Sequence, residues 1–195
     1  MNRYSCLTKQ IFDYNSYHIE PYRQQDLLMI KEWRNQQIDV LRQKKILTDQ
    51  DQLNYYTQFI EPSFHESNPK IILFSFFLDK NLIGYGGLTN CSWEDKRSEL
   101  SIIVSTERYK NLELYEKDLT AFIKLMKQVN FDELRFNRIF TETYDIRPYH
   151  IRIIEQNDFR LEGRLKEHVF INGKYVDSLL HGCLVSSSPQ STQSR

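Results

Sequence analysis

The chain has 195 residues, 40% apolar and 27% charged, with 26 Lys and Arg against 26 Asp and Glu. That length suits one well-buried α/β domain rather than two, and a formal net charge of zero leaves no electrostatic footprint for nucleic acid or an anionic membrane. No apolar run approaches the ~20 residues of a membrane-spanning helix, and MNRYSCLTKQ lacks the apolar core of a signal peptide, so a cytoplasmic location is expected. Three scattered cysteines (Cys6, Cys91, Cys183) and five histidines show no ligand spacing, so neither a metal nor a disulfide framework is expected.

Residues 1–16 read as an N-terminal extension, 17–185 as a single domain, and SSSPQSTQSR (186–195) as a polar, disordered tail. Tyr17–Tyr22 is a short strand candidate, followed by a helix over 24–35 with Leu27, Ile30 and Trp33/Arg34 at helical spacing. Thr48-Asp49-Gln50-Asp51 is a capped helix start, continued by Leu53, Tyr56 and Ile60 to Pro62. IILFSFFL (71–78) is an apolar run of strand length, which implies a central strand covered on both faces. NLIGYGGL (81–88) and SELSIIV (98–104) are the next two strands. The following helix carries Tyr115, Leu119, Phe122, Met126 and Val129 on one stripe.

RIFTETY (138–144) is a further strand, and Pro148 suits the first turn of a helix over 148–156. Asn172-Gly173 between two β-rich runs predicts a two-residue hairpin turn. The order β-α-α-β-β-β-α-β-α-β-β therefore predicts an α/β (α+β) fold: a mixed, mostly antiparallel twisted sheet with helices on both faces. One connection stands out. A strand feeding a helix N-terminus is an anion site, and such loops use glycine for close backbone approach. Here the loop is Arg108-Tyr109-Lys110-Asn111-Leu112-Glu113, in a stretch with no glycine from Leu88 to Glu162.

The strings EWRN (32–35), LIGYGGL (82–88), SELSIIV (98–104) and EQNDFRLEGRL (155–165), in this order, resemble the GNAT (Gcn5-related) N-acetyltransferase superfamily over roughly residues 17–185. They look most like the branch with ribosomal-protein N-terminal and surface-polysaccharide amino-sugar acetyltransferases. The resemblance implies acetyl transfer from acetyl-CoA, as co-substrate, to a primary amine. It implies that Ile102, Ile103 and Val104 flank the cofactor, and that Arg108, Lys110, Asn111 and Leu112 form the pyrophosphate loop. Arg108 keeps the family's residue, and Asn111 tolerates the positive φ that glycine would supply. Glu113 departs from the pattern.

Glu99 occupies the acidic position of the family's A-E-L strand and is the candidate base; a structural carboxylate paired with Arg97 or with a residue of another strand is the alternative. Arg147 stands where the family often has Asn and is a further cofactor-binding candidate; Ile154 stands where it often has a tyrosine acid, and His150, four residues before it, is the candidate facing the thioester sulfur. Trp33, Arg34, Arg42, Tyr85 and Trp93 are candidates for the acceptor wall. Three functions follow: acetylation of an amino sugar or similar small amine, acetylation of protein N-termini, or a non-catalytic binding module whose cofactor loop has degenerated. The expected partner is a small-molecule amine, and the expected state is a monomer or homodimer.

Overall fold

The computed structural model describes residues 2–187. The chain opens with a hairpin, β1 (Phe12–Tyr14) and β2 (Tyr17–Pro21). Its turn uses Asn15 at φ 53°, a left-handed conformation Asn tolerates. The segment before Tyr17, set apart by its sequence, is thus woven into the fold. Tyr4 and Leu7 are buried, and the Tyr4 hydroxyl both donates to Leu73 C=O and accepts from Leu73 N–H. Of the expected tail, residues 186 and 187 belong to a 3₁₀ turn (Val185–Ser187) and the rest lies outside the described residues.

A 3₁₀ turn (Gln24–Asp26) leads into α1 (Leu27–Gln36). The predicted cap at Thr48 is present: Thr48 and Asp51 exchange side-chain and backbone hydrogen bonds as a capping box, starting α2 (Asp49–Tyr55). Helix α2 widens into a π turn (Tyr56–Ile60) before α3 (Glu61–Ser63). Gln52, Tyr56 and Ile60, four residues apart, form the buried face, whereas Leu53, expected on it, faces solvent.

Four strands follow: β3 (Ile72–Leu78), β4 (Asn81–Ser92), β5 (Arg97–Val104) and β6 (Arg138–Tyr144). The glycine-free connection is a short helical turn, α4 (Thr106–Lys110), abutting α5 (Leu112–Lys127). Helix α6 (Pro148–Gln156) precedes the long hairpin β7 (Arg160–Ile171) and β8 (Lys174–Leu184). Asn172 and Gly173 both have positive φ, 50° and 78°, as the Asn-Gly turn requires.

The eight strands form one sheet in the order β1-β2-β3-β4-β5-β6-β8-β7, with helices on both faces. Strand β3 is buried nearly throughout. On one face Phe76 meets Phe122 of α5; on the other Tyr85 meets Tyr22, which packs on Tyr56. The predicted stripe Tyr115, Leu119, Phe122, Met126 and Val129 is buried in full. Every neighbouring pair is antiparallel except β5–β6. Those two run parallel, and only Arg97–Glu99 pair with Arg138–Phe140. Beyond that point they splay apart.

Candidate active site

The splay leaves Leu100–Val104 of β5 and Thr141–Tyr144 of β6 without each other as partners, although their outer edges stay paired with β4 and β8. Alternate residues along each strand therefore turn backbone N–H and C=O groups into the gap. A crevice beyond the carboxyl ends of parallel strands is where open sheets hold ligands. Here it is a cleft of about 470 Å³, lined among others by Arg34, Arg42, Glu99, Ile102, Ile103, Arg147 and His150.

Glu99 sits where the splay begins, 5% exposed. Its carboxylate accepts from Arg42 Nη2 at 2.5 Å and from Asn90 Nδ2 at 2.6 Å. Of the two partners expected for a structural carboxylate, Arg97 pairs instead with Asp95, whereas a residue of another strand, Asn90 of β4, does bond Glu99. Arg42 also donates to Glu142 Oε2 at 3.0 Å, so one guanidinium in the α1–α2 loop bridges β5 and β6. Asn90 reaches Glu99 because β4 carries an irregularity between Thr89 and Ser92, with Asn90 at φ 47°. Such bulges re-aim side chains.

His150 approaches from α6, 7% exposed. Its Nδ1 lies 2.6 Å from the Tyr115 hydroxyl, which also accepts from Arg147 Nη2 at 2.9 Å. With Arg147 donating, the Tyr115 proton goes to Nδ1, and the imidazole proton is assigned to Nε2. Burial, reinforced by the Arg147 cation, holds the His150 pKa well below its ordinary value. Burial likewise pushes Tyr115 up to about 12. At neutral pH the pair is an uncharged phenol and an uncharged imidazole, whose Nε2–H is a hydrogen-bond donor rather than an acid.

By the alternation of β5, Glu99 shares a face with Ile103, whose register partner Tyr85 packs on the α1 side of the sheet. His150 and Tyr115 belong to the α5–α6 side. The two candidates thus enter one cleft from opposite faces.

The remaining expectations divide. Arg34, Arg42, Ile102, Ile103 and Arg147 line the cleft; Trp33, Tyr85 and Trp93 do not. Trp33 packs on the core. Trp93 donates to Pro69 C=O and sits edge-on to Phe136. Tyr85 is buried, its hydroxyl taken by Arg34 Nη1. Tyr144 is the aromatic ring on the cleft lining. Val104 is buried, its C=O accepting from Gln37 Nε2 at 2.9 Å.

Arg108 turns inward: Nε and Nη2 clasp Asp118 at 2.5 and 2.7 Å. Asp118 is wholly buried and also accepts from Tyr17 Oη at 3.1 Å. Asn111 does not adopt positive φ; at φ −92° it is the N-cap of α5, accepting from Leu114 N–H at 3.1 Å. Lys110 and Leu112 are exposed. Glu113 pairs with Lys117 at 2.6 Å and lines a different groove, with Tyr14 and Tyr17. A carboxylate in the first turn of a helix complements its dipole, so Glu113 is compatible with the loop.

Asn90, Tyr115 and Glu142 were missed as site residues by sequence reasoning. Tyr115 had a signal, a hydroxyl on a core stripe, which a buried position obliges to find a partner.

Residues 19–180 match the acetyltransferase (GNAT) domain family. The chain belongs to that family and is an acetyl-CoA-dependent N-acetyltransferase. Among solved structures it is similar to the spermidine N-acetyltransferase from Vibrio cholerae in complex with CoA and spermine (TM-score 0.72, 20% identity, 89% of this chain and 98% of that one). It is also similar to Mycobacterium smegmatis RimJ in complex with CoA-disulfide (TM-score 0.74, 16% identity, 89% and 84%). At these identities the likeness establishes the fold.

The cleft fits the co-substrate on its own evidence. The splayed strands offer unpaired backbone groups, and the Nε of Arg147 is buried without a partner. The N–H groups of Leu112 and Glu113 precede the α5 ladder, which begins with Tyr115 N–H to Asn111 C=O. No helix among the described residues is long and apolar enough to cross a membrane.

Proposed function

We propose that this protein acetylates the primary amine of an amino sugar or a similar hydroxyl-bearing small metabolite. The observation that carries the reading is the meeting of Glu99 and His150 across one small cleft from opposite faces of the sheet. Acetyl-CoA supplies an activated acyl group as a thioester. Glu99 takes the proton of the acceptor ammonium, directly or through water, once Arg42 yields one of its contacts. Backbone N–H groups on the open edge of β5 polarise a carbonyl laid beside them. His150 Nε2–H donates a hydrogen bond to the anion that leaves, and Tyr115 and Arg147 fix its tautomer.

The lining favours a hydroxylated acceptor through Thr89, Ser101, Thr141, Thr143 and Gln43 rather than through the ring platform expected of Trp33, Tyr85 and Trp93. Protein N-terminal acetylation would be favoured by a wide acidic approach to Glu99. Here that approach is lined by the basic loop carrying Arg42, Lys44 and Lys45.

The test is thiol release from acetyl-CoA across a panel of amino sugars, with Glu99→Gln as comparison. The expectation is turnover that falls on the order of 10²–10⁴-fold in kcat for the variant, with acetyl-CoA affinity retained. Glu99→Gln at wild-type rates would remove Glu99 from the mechanism. Absence of both turnover and acetyl-CoA binding would remove the reading itself.

A further inference from the structure

The chain as a whole is electrically neutral, yet its cleft is not. Five cations (Arg34, Arg42, Lys44, Lys45 and Arg147) line it against two carboxylates, Glu99 and Glu142, and His150 is neutral. Arg42 satisfies both carboxylates, and Lys45 is paired with Asp51. Arg147 lies with Tyr115 and His150 on the co-substrate side. Two cations remain on the acceptor side without a carboxylate: Arg34 and Lys44.

Arg34 is the informative one. It is half-buried among tyrosines and, among the described residues, donates only to the Tyr85 hydroxyl and, at 3.1 Å, to Gln43 Oε1. A guanidinium has five N–H groups, so three are left without a protein acceptor. A cation removed from water without a counter-charge is costly, and folds retain one where a ligand supplies the missing anion. Lys44 lies one residue beyond Gln43 on the same wall, exposed and unpaired among the described residues.

We propose that the acceptor carries a phosphoryl group, bound by Arg34 and Lys44 while its amine faces Glu99. This rests on the amine-acetyltransferase reading above and names the class of amine. More than one uncompensated positive charge favours a phosphoryl dianion or pyrophosphate over a single carboxylate. The same field disfavours polycationic amines, since like charges in a partly desolvated cleft repel.

The full-length protein with saturating acetyl-CoA is offered glucosamine, glucosamine 6-phosphate, a nucleoside-diphosphate-linked amino sugar, and spermidine, and thiol release is followed at low and high salt. The expected result is a kcat/KM about tenfold or more higher for a phosphorylated acceptor than for glucosamine, with spermidine poorest and the advantage shrinking as salt rises. Which phosphorylated arm leads separates a monophosphate from a nucleotide-linked sugar. Lys44→Gln, on the exposed loop where folding is not at risk, raises KM for that acceptor about tenfold and leaves acetyl-CoA affinity by calorimetry unchanged; Arg34→Gln does the same more strongly.

Equal rates for glucosamine and its phosphorylated forms, a preference for spermidine, or no turnover of either phosphorylated amine while acetyl-CoA binds would overturn the proposal and leave the acetyltransferase reading standing. Failure to bind acetyl-CoA would overturn both.

Discussion

Arg108 and Asp118 form a buried pair whose two halves are not equivalent, and the difference is measurable. Asp118 is fully buried, whereas the Arg108 side chain is 18% exposed on the short α4 turn. Arg108→Ala strips Asp118 of two of its three donors, leaving only the Tyr17 hydroxyl. The result is an uncompensated buried carboxylate, which costs about 3–5 kcal/mol. Asp118→Asn keeps an oxygen for Tyr17 and lets the guanidinium swing to water, so the loss is nearer ~1–2 kcal/mol. The double variant leaves no buried charge, so it should be more stable than Arg108→Ala alone, a reversal that simple additivity forbids. Urea unfolding followed by circular dichroism reads all three. With m of about 2 kcal/mol/M, Arg108→Ala shifts the midpoint down by roughly 1.5–2.5 M. Equal midpoints for wild type and Arg108→Ala, with a large loss of acetyl-CoA affinity, would refute the reasoning and return Arg108 to the phosphate site.

Other consequences follow from the geometry. Unfolded histidine titrates near 6.5, and His150 titrates well below that in the fold. As pH falls below about 6.5 the unfolded chain takes up a proton the fold refuses, so stability is lost toward acid at up to ~1.4 kcal/mol per pH unit, with no contribution at higher pH. His150→Asn should flatten the unfolding free energy between roughly pH 5 and 6.5 relative to wild type; parallel profiles would contradict the burial argument. Gly86 lies so close to β5 that a Cβ would meet Ser101 O at 2.2 Å and Phe122 Cζ at 2.9 Å, whereas at Gly163 the nearest atom is 3.8 Å away. Gly86→Ala should therefore cost about 3 kcal/mol and Gly163→Ala within ~0.5 kcal/mol of nothing in thermal melts; similar melting temperatures would show that β4 and β5 can slide.

What could be read from the sequence was what adjacent residues decide. The Asn172-Gly173 turn, the Thr48 cap, Pro148 at the start of α6 and the Tyr115–Val129 stripe all depend on neighbours within a turn or two. Glu99 was singled out through the family resemblance of a short strand pattern, and the structure sets it on the cleft lining. Arg42 and Asn90 were not legible as its partners, because contact needs a loop between two helices and a bulge in β4. Rings misled most. Trp33 and Trp93 were plausible platforms for a sugar, but large aromatics are also the best fillers of a core, and packing claimed both. Glycine was misleading too: its absence from residues 89–162 suggested a lost anion site, whereas Asn111 capping leaves the start of α5 regular and open without it.

The short parallel contact between β5 and β6 has a thermodynamic side. From Leu100 and Thr141 onward, two strands near the middle of the sheet do not pair with each other along one edge, so the folded chain keeps backbone hydrogen-bonding groups facing the cleft that a guest can take over from water. Binding to the native state alone adds RT ln(1 + [L]/Kd), about 2.7 kcal/mol at a hundredfold excess over Kd. Acetyl-CoA should accordingly raise the melting temperature and slow proteolysis in proportion to the logarithm of its concentration. A gap that takes up the acyl donor would tie part of the fold's stability to the supply of that donor.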